Sequence, residues 1–324
     1  MRRLLCVILI PALLFSLTAC QSEEPVSHTG FALDTVVSVT IYDCEENVER
    51  QTLLNRCFDE INRLEGLFSA TIESSDISHI NAANGAPITV SDETAELLRL
   101  CLRYAELSDG AFDVTLRAVT ALWDFSSETL PDAAQLAAAA ATVDYRQLTV
   151  AGNTVTLSGG ALDLGGVAKG YIADRVAALL REGGATSAMI DLGGNIVVIG
   201  ERDGRAWNIG IKDPNNVSEL CAVVTGCDLS VVTSGIYERG FTLNGVRYHH
   251  LLSPESGMPV QNGLASVSIV CENSAQADAL STACFVLGEE KGLSLIESLD
   301  GVEGLFVHQD GTLRASSGLS YTTA

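Results

Sequence analysis

Four stretches of this 324-residue chain set oxygen donors, glycines and ring nitrogens at spacings that chemistry can use. The first, DLGGVAKGY at 163–171, runs a strand into Gly165 and Gly166 and then opens a helix. Glycines let backbone groups come close to a ligand, and a helix N-terminus points N–H groups at an anion. The spacing is neither a Walker loop nor the dinucleotide GxGxxG, so the pattern alone fits a tight structural turn as well as a phosphate site. The second, IDLGGNI at 190–196, repeats the glycine pair and by itself reads as a strand-end turn. The third, ADALST at 277–282, places Asp278 and Thr282 four residues apart, on one face of a helix. A carboxylate and a hydroxyl so placed suit Mg²⁺, which takes a few protein oxygens and keeps room for phosphate and water. An Asp that caps a helix and a Thr bonded to its own backbone are the competing explanations. The fourth, YHHLLSPESGMP at 248–259, carries His249 and His250 ahead of a strand and follows Thr233, Ser234 and Gly235. One histidine can serve as a general base and the other as a structural residue; neighbours on a strand face opposite ways, which argues against a shared metal ion.

The elements that must position these groups are legible from periodicity. Valine and threonine alternate over 35–41 as a half-buried strand requires. Apolar residues at helical spacing predict a helix over 48–68 that ends near Gly66, and a second from the cap Ser91 to the stop at Asp109 and Gly110. Helices are also predicted over 133–141, 169–181, 275–287 and 291–298. Strands are predicted over 155–157, 161–164, 188–192, 196–199, 207–211, 222–224, 229–232 and 266–271. Helices and strands mix without a regular βαβ alternation, which makes the expected class α+β.

Arg2, Arg3, an apolar run over 4–17 and the sequence Leu17-Thr18-Ala19-Cys20 make up an export leader. The run is shorter than the roughly 20 residues that span a bilayer. The four residues ending in Cys20 resemble a lipobox, so the expectation is a signal at 1–19, lipid on Cys20, a tether over 20–29 and a single domain over 30–324. The expected location is the extracytoplasmic face of the cell membrane. A formal net charge of −22 repels nucleic-acid backbones, and an anionic substrate needs a local cation or a placed lysine. Beyond Cys6 and Cys20, the cysteines at 44, 57, 101, 221, 227, 271 and 284 form no CxxC pair and read as free thiols rather than a zinc site.

Taken in order, FALDTVVSVT at 31–40, LFSATIESSDISHIN at 67–81, GAFDVT at 110–115, DLGGVAKGY, DLGGN, WNIGI at 207–211, VVTSGIYERGF at 231–241, YHHLLSPESGMP and ADALST resemble the motifs of the ApbE family, the FAD:protein FMN transferases. The resemblance covers nearly the whole exported body. It implies a T-fold-related mixed sheet core with flanking helices and the flavin between two subregions. It implies Mg²⁺ on the Ala168 carbonyl, Asp278 and Thr282 with Ser281 close by. Flavin contacts are implied from Leu33, Thr71, Ala111, Phe112, Asp113, Gly165, Tyr171 and Leu251, with Lys169 near the diphosphate. The implied reaction moves FMN from FAD to a threonine hydroxyl of an exported or membrane flavoprotein and releases AMP; Asp278 holds the metal and His250 takes the threonine proton. This chain departs from the family where Leu33-Asp34-Thr35 replaces the common Met-Gly-Thr, where Thr71 stands in place of an aromatic residue, and where Ser253 replaces Asp before proline. Thr71 keeps FAD hydrolysis to FMN and AMP open as an alternative, and a non-catalytic flavin-binding lipoprotein is the third reading.

Overall fold

The computed structural model describes residues 24–324, so the leader and Cys20 lie outside the described residues. In chain order the elements are β1 (Val26–Ala32), β2 (Thr35–Cys44), α1 (Arg50–Phe68), α2 (Asp76–Ala82), β3 (Ile88–Thr89), α3 (Asp92–Leu107), α4 (Arg117–Thr120), α5 (Ala133–Ala140), β4 (Leu148–Ala151), β5 (Thr154–Leu157), α6 (Ala168–Glu182), β6 (Ala185–Leu192), β7 (Asn195–Ile199), β8 (Trp207–Asp213), β9 (Asn216–Gly226), β10 (Leu229–Gly235), β11 (Gly240–Leu243), β12 (Val246–His249), β13 (Leu264–Cys271), α7 (Ser274–Leu287), α8 (Glu289–Glu297), β14 (Glu303–His308), β15 (Leu313–Ala315) and β16 (Tyr321–Thr323). The class is α+β. Eight strands form one sheet in the order β1-β2-β6-β7-β10-β13-β14-β15. Its ladders are antiparallel, where the resemblance implied a mixed sheet.

β13 shows why the sheet is covered on both sides: all of its residues are buried, the pattern of a strand with packed faces rather than one wet face. On one face Val232, Val267 and Ile269 pack with Ile172 and Val176 of α6 and Leu280 and Phe285 of α7. On the other, Val198, Val231, Val270 and Leu305 meet Trp207, Ile209 and Ile211 of β8 and Val224 of β9. β8, β9 and β16 make a separate three-stranded layer, and the strict alternation of β8 buries one side and leaves the other wet. α7 is apolar nearly all round because helices and sheet surround it; the fully buried Leu280 side chain alone contributes roughly 1.5–3 kcal/mol. A third cluster joins Val119 and Trp123 to Leu136 of α5 and Phe241 of β11, and the Trp123 indole N–H donates to the Gly257 carbonyl at 2.9 Å.

The structure corrects three sequence expectations. Residues 26–29, expected to belong to a tether, open β1 instead, since Val26 already pairs with Ile41 and β1 adds an edge strand to β2. Residues 161–164 are not a strand: Ala161 makes one isolated bridge to Leu116, and the Asp163 N–H donates to the Val114 carbonyl of a loop at 2.8 Å. His249 closes β12 rather than preceding a strand, because the segment after it turns back so that Val260 N–H reaches the Leu251 carbonyl. The Gly193-Gly194 pair is the two-residue turn of the β6–β7 hairpin, with φ of 65° and 97°, which is the conformation such tight hairpins need.

Candidate functional site

The site is built where α6 crosses α7. No side chain caps α6 at its start, and part of that task falls to the neighbouring helix: the Gly170 N–H donates to Asp278 Oδ2 at 2.9 Å. A Cβ at Gly170 would lie 2.3 Å from the Ser274 carbonyl oxygen and 2.7 Å from Asp278 Cβ, so the helices meet at backbone distance. At the other end of the bend, a Cβ at Gly166 would lie 3.3 Å from Thr282 Oγ1 and 3.5 Å from the Phe112 ring. The bend therefore rests on Thr282 at Gly166 and on Asp278 at Gly170, with Ala168 between. Asp278 does not cap its own helix. Asn273 does so by accepting from Gln276 N–H at 2.7 Å, and Asp174 of α6 accepts from the Ser274 and Ala275 N–H groups, both at 2.8 Å. Burial raises the Asp174 pKa to about 6.

Whether these groups suit a divalent cation turns on Asp278. The residue is 3% exposed, and its carboxylate accepts from a single backbone N–H and, among the described residues, forms no ion pair. A buried carboxylate with so little compensation is short of positive charge. The donors that the resemblance implied beside it, the Ala168 carbonyl and the Thr282 hydroxyl, are oxygens like the carboxylate itself, and such a set would suit a hard ion that shares its ligands with phosphate. Among the described residues no three His, Cys, Asp or Glu side chains converge. Ser281 lies in the same turn, but its hydroxyl donates to the Asp278 carbonyl at 2.9 Å and shares a 2.8 Å hydrogen bond with Ser234. Ser234 also sits 3.3 Å from Thr282 Oγ1 and so steadies both hydroxyls from β10.

The two histidines divide their work. His249 is buried; its Nδ1 accepts the Leu251 N–H at 3.3 Å, so Nε2 carries the hydrogen that goes to the Val260 carbonyl at 3.0 Å. Burial lowers its pKa to about 4. His250 presents Nδ1 to the Arg239 carbonyl at 3.4 Å, an arrangement that puts the hydrogen on Nδ1 and leaves a lone pair on Nε2. Its pKa is lowered to about 3, first by burial and then by nearby Lys169 and Arg239. The neutral-range base expected from sequence is thus a weaker one before substrate arrives. Arg239 also donates to the Asp34 carbonyl at 3.5 Å, which ties the turn at Leu33 to the histidine loop.

The remaining expected contacts are spread around this centre. Both oxygens of Asp113 are used to hold the loop, accepting from Thr115 at 2.8 and 2.7 Å and from Tyr145 N–H at 2.8 Å, and burial raises its pKa. With Gly110, Tyr145, Arg146, Pro254 and Glu255 it lines an open cleft of ≈ 400 Å³, which brings the loop holding Ala111 and Phe112 to the one following Leu251. Tyr171 is nearly buried, packs edge-on to Phe68 and donates to Glu96 at 2.7 Å. Gly165 N–H donates to Asp163 Oδ1 at 3.0 Å. The Leu33 N–H donates to Glu65 at 2.9 Å, and Thr71 is exposed on the turn held by the Ser69 hydroxyl. Sequence reading missed Ser234, Asp174 and Arg239 as parts of this assembly. Ser234 and Arg239 lie inside motifs already marked, whereas Asp174 belongs to a helix surface pattern that carries no signal of a partner helix.

A sequence profile of the ApbE family matches residues 33–306. The FAD:protein FMN transferase of Treponema pallidum is 38% identical over 90% of this chain and 87% of its own length; that of Klebsiella pneumoniae is 33% identical over 90% and 92%. The crystal structure of the ApbE protein of Thermotoga maritima superposes with a TM-score of 0.84 at 30% identity, covering 91% of this chain and 97% of that one. The Pseudomonas stutzeri flavinyl transferase ApbE gives 0.81 at 29%. The chain belongs to the ApbE family.

Proposed function

We propose that the chain is a FAD:protein FMN transferase that uses a divalent cation, Mg²⁺ by preference, and moves FMN from FAD to a threonine hydroxyl of an exported or membrane flavoprotein, releasing AMP. The flavinyltransferase activity rests on family membership and on the names its relatives carry. The finer reading rests on one observation: the under-compensated Asp278 carboxylate joins the glycine bend at the head of α6 to the oxygen donors of α7. Ala168, Asp278 and Thr282 would hold the ion, which when bound draws charge off phosphoryl oxygens. The N-terminus of α6 and Lys169 favour an anion at the same place. His250 accepts the threonine proton at Nε2, and an anionic diphosphate nearby raises the pKa that burial, Lys169 and Arg239 lower. The leader and Cys20 support a lipid-anchored enzyme on the extracytoplasmic face. Among the described residues no helix is long and apolar enough to cross a membrane.

The exposed Thr71, where the family often has a ring, keeps a FAD pyrophosphatase as the second reading, because water then competes with the acceptor. The experiment incubates the chain with FAD and Mg²⁺, with and without a threonine acceptor peptide, and follows AMP and peptide-bound flavin. Transfer predicts AMP in step with bound flavin and dependence on the peptide, both falling at least about a hundredfold in Asp278→Asn, which keeps shape but removes charge. AMP without acceptor identifies the hydrolase; neither product leaves a flavin binder.

A further inference from the structure

The hairpin turn explains Gly193 and Gly194 but not the residue that follows. Asn195 opens β7, is 2% exposed, and its Nδ2 has no hydrogen-bond partner. Strand alternation puts Asn195, Val197 and Ile199 on the face under α6 and α7, while Val198 faces the other layer. Register places Asn195 opposite Val232 of β10, Val232 opposite Ile269 of β13, and Leu192 of β6 opposite Val37 of β2. Leu192 and Asn195 flank the turn, so the row across five strands reads Val37, Leu192, Asn195, Val232, Ile269. Its four other members are buried aliphatics. An amide there gains nothing from packing, and an enclosed donor without an acceptor costs about 1–3 kcal/mol. Among the described residues, the other enclosed unpartnered atoms are serine hydroxyls, which rotate, and the His28 ring nitrogen.

Two residues further along β10, and so on the same face, is Ser234, which holds Ser281 and Thr282. As the diagonal neighbour of Asn195 across the ladder it lies roughly 7–8 Å away, within reach of the next side chain. We infer that Asn195 is a binding residue whose Nδ2 donates to an oxygen of the bound diphosphate, from the sheet floor beneath the glycine bend. The inference rests on the proposed FAD site and deepens it. The Nδ2 group is left unpaired in the free protein and is completed by substrate, and as a donor it calls for an acceptor such as a phosphoryl oxygen.

The test compares wild type with Asn195→Leu, which fits the aliphatic row, and Asn195→Asp, which keeps the shape and replaces the donor with a negative acceptor. Melting of the ligand-free protein and binding of FAD with Mg²⁺ and of riboflavin, which lacks phosphate, are measured by calorimetry. The inference predicts that Asn195→Leu melts no lower than wild type, binds FAD about tenfold more weakly and binds riboflavin unchanged, with a larger FAD loss for Asn195→Asp. Wild-type affinity for FAD in Asn195→Leu, an equal loss for FAD and riboflavin, or a lower melting point with unchanged FAD binding would overturn it. Wild type that binds no FAD removes the underlying site as well, whereas wild type that binds FAD while the leucine variant binds equally removes only this role. Should the leucine variant not fold, Asn195→Asp decides alone: retained FAD affinity rejects the contact.

Discussion

Leu33 and Asp34 hold φ of 55° and 57°, a region that costs side chains with a Cβ roughly 1–2 kcal/mol each and glycine nothing. The family's common glycine at the second position is the cheaper solution, and this chain substitutes an Asp that tolerates the conformation better than most residues. Asp34→Gly is therefore expected to stabilise the protein by about 1 kcal/mol, read as a higher urea midpoint at unchanged slope; an unchanged or lower midpoint would show the turn is not strained. The buried histidine gives a pH signature. His249 stays neutral in the fold down to about pH 4, whereas an unfolded histidine protonates below about 6.5. Its contribution is complete above pH 6.5 and declines as pH falls towards 4, because the unfolded state then binds the extra proton. Relative to His249→Gln, wild-type stability should fall by up to about 1.4 kcal/mol per pH unit across that window; parallel pH curves would contradict the assignment.

At the scale of elements, the site depends on how two helices are held rather than on any loop. Asp174 spends both oxygens on the first N–H groups of α7, and α7 carries Asp278 and Thr282. Asp174→Ala strands two donors, so it should cost about 1–3 kcal/mol and weaken Mg²⁺ binding in the presence of FAD; Asp174→Asn, which keeps one acceptor, should fall between. A full stability loss with unchanged metal affinity would confine Asp174 to folding. Much of this level was legible in the sequence: the helix over 275–287 reads as a long apolar run, and the four-residue spacing of Asp278 and Thr282 follows from it. What was not legible depends on partners far along the chain. The β1 edge strand reads as a polar tether because its outer side is wet, and Phe31 is 75% exposed. β11, β12 and β16 are short, and their burial comes from α4 and α5 or from β9 rather than from their own pattern. The glycine bend reads as either turn or site until Gly166 and Gly170 are seen against Thr282 and Asp278.

For the whole molecule, a helix layer, an eight-stranded sheet and a smaller sheet leave α6 and α7 packed on a rigid floor. A chain of net charge −22 does not attract a dinucleotide over distance, so the proposed FAD site would need local positive elements such as a bound cation, Lys169 and the α6 N-terminus. The most direct measurement is a crystal structure of the full chain with FAD and Mn²⁺, located by its anomalous signal. The account predicts a manganese peak among the Ala168 carbonyl, the Asp278 carboxylate and the Thr282 hydroxyl, with the diphosphate against the start of α6. A peak elsewhere, or a diphosphate that leaves those three groups untouched, would contradict it.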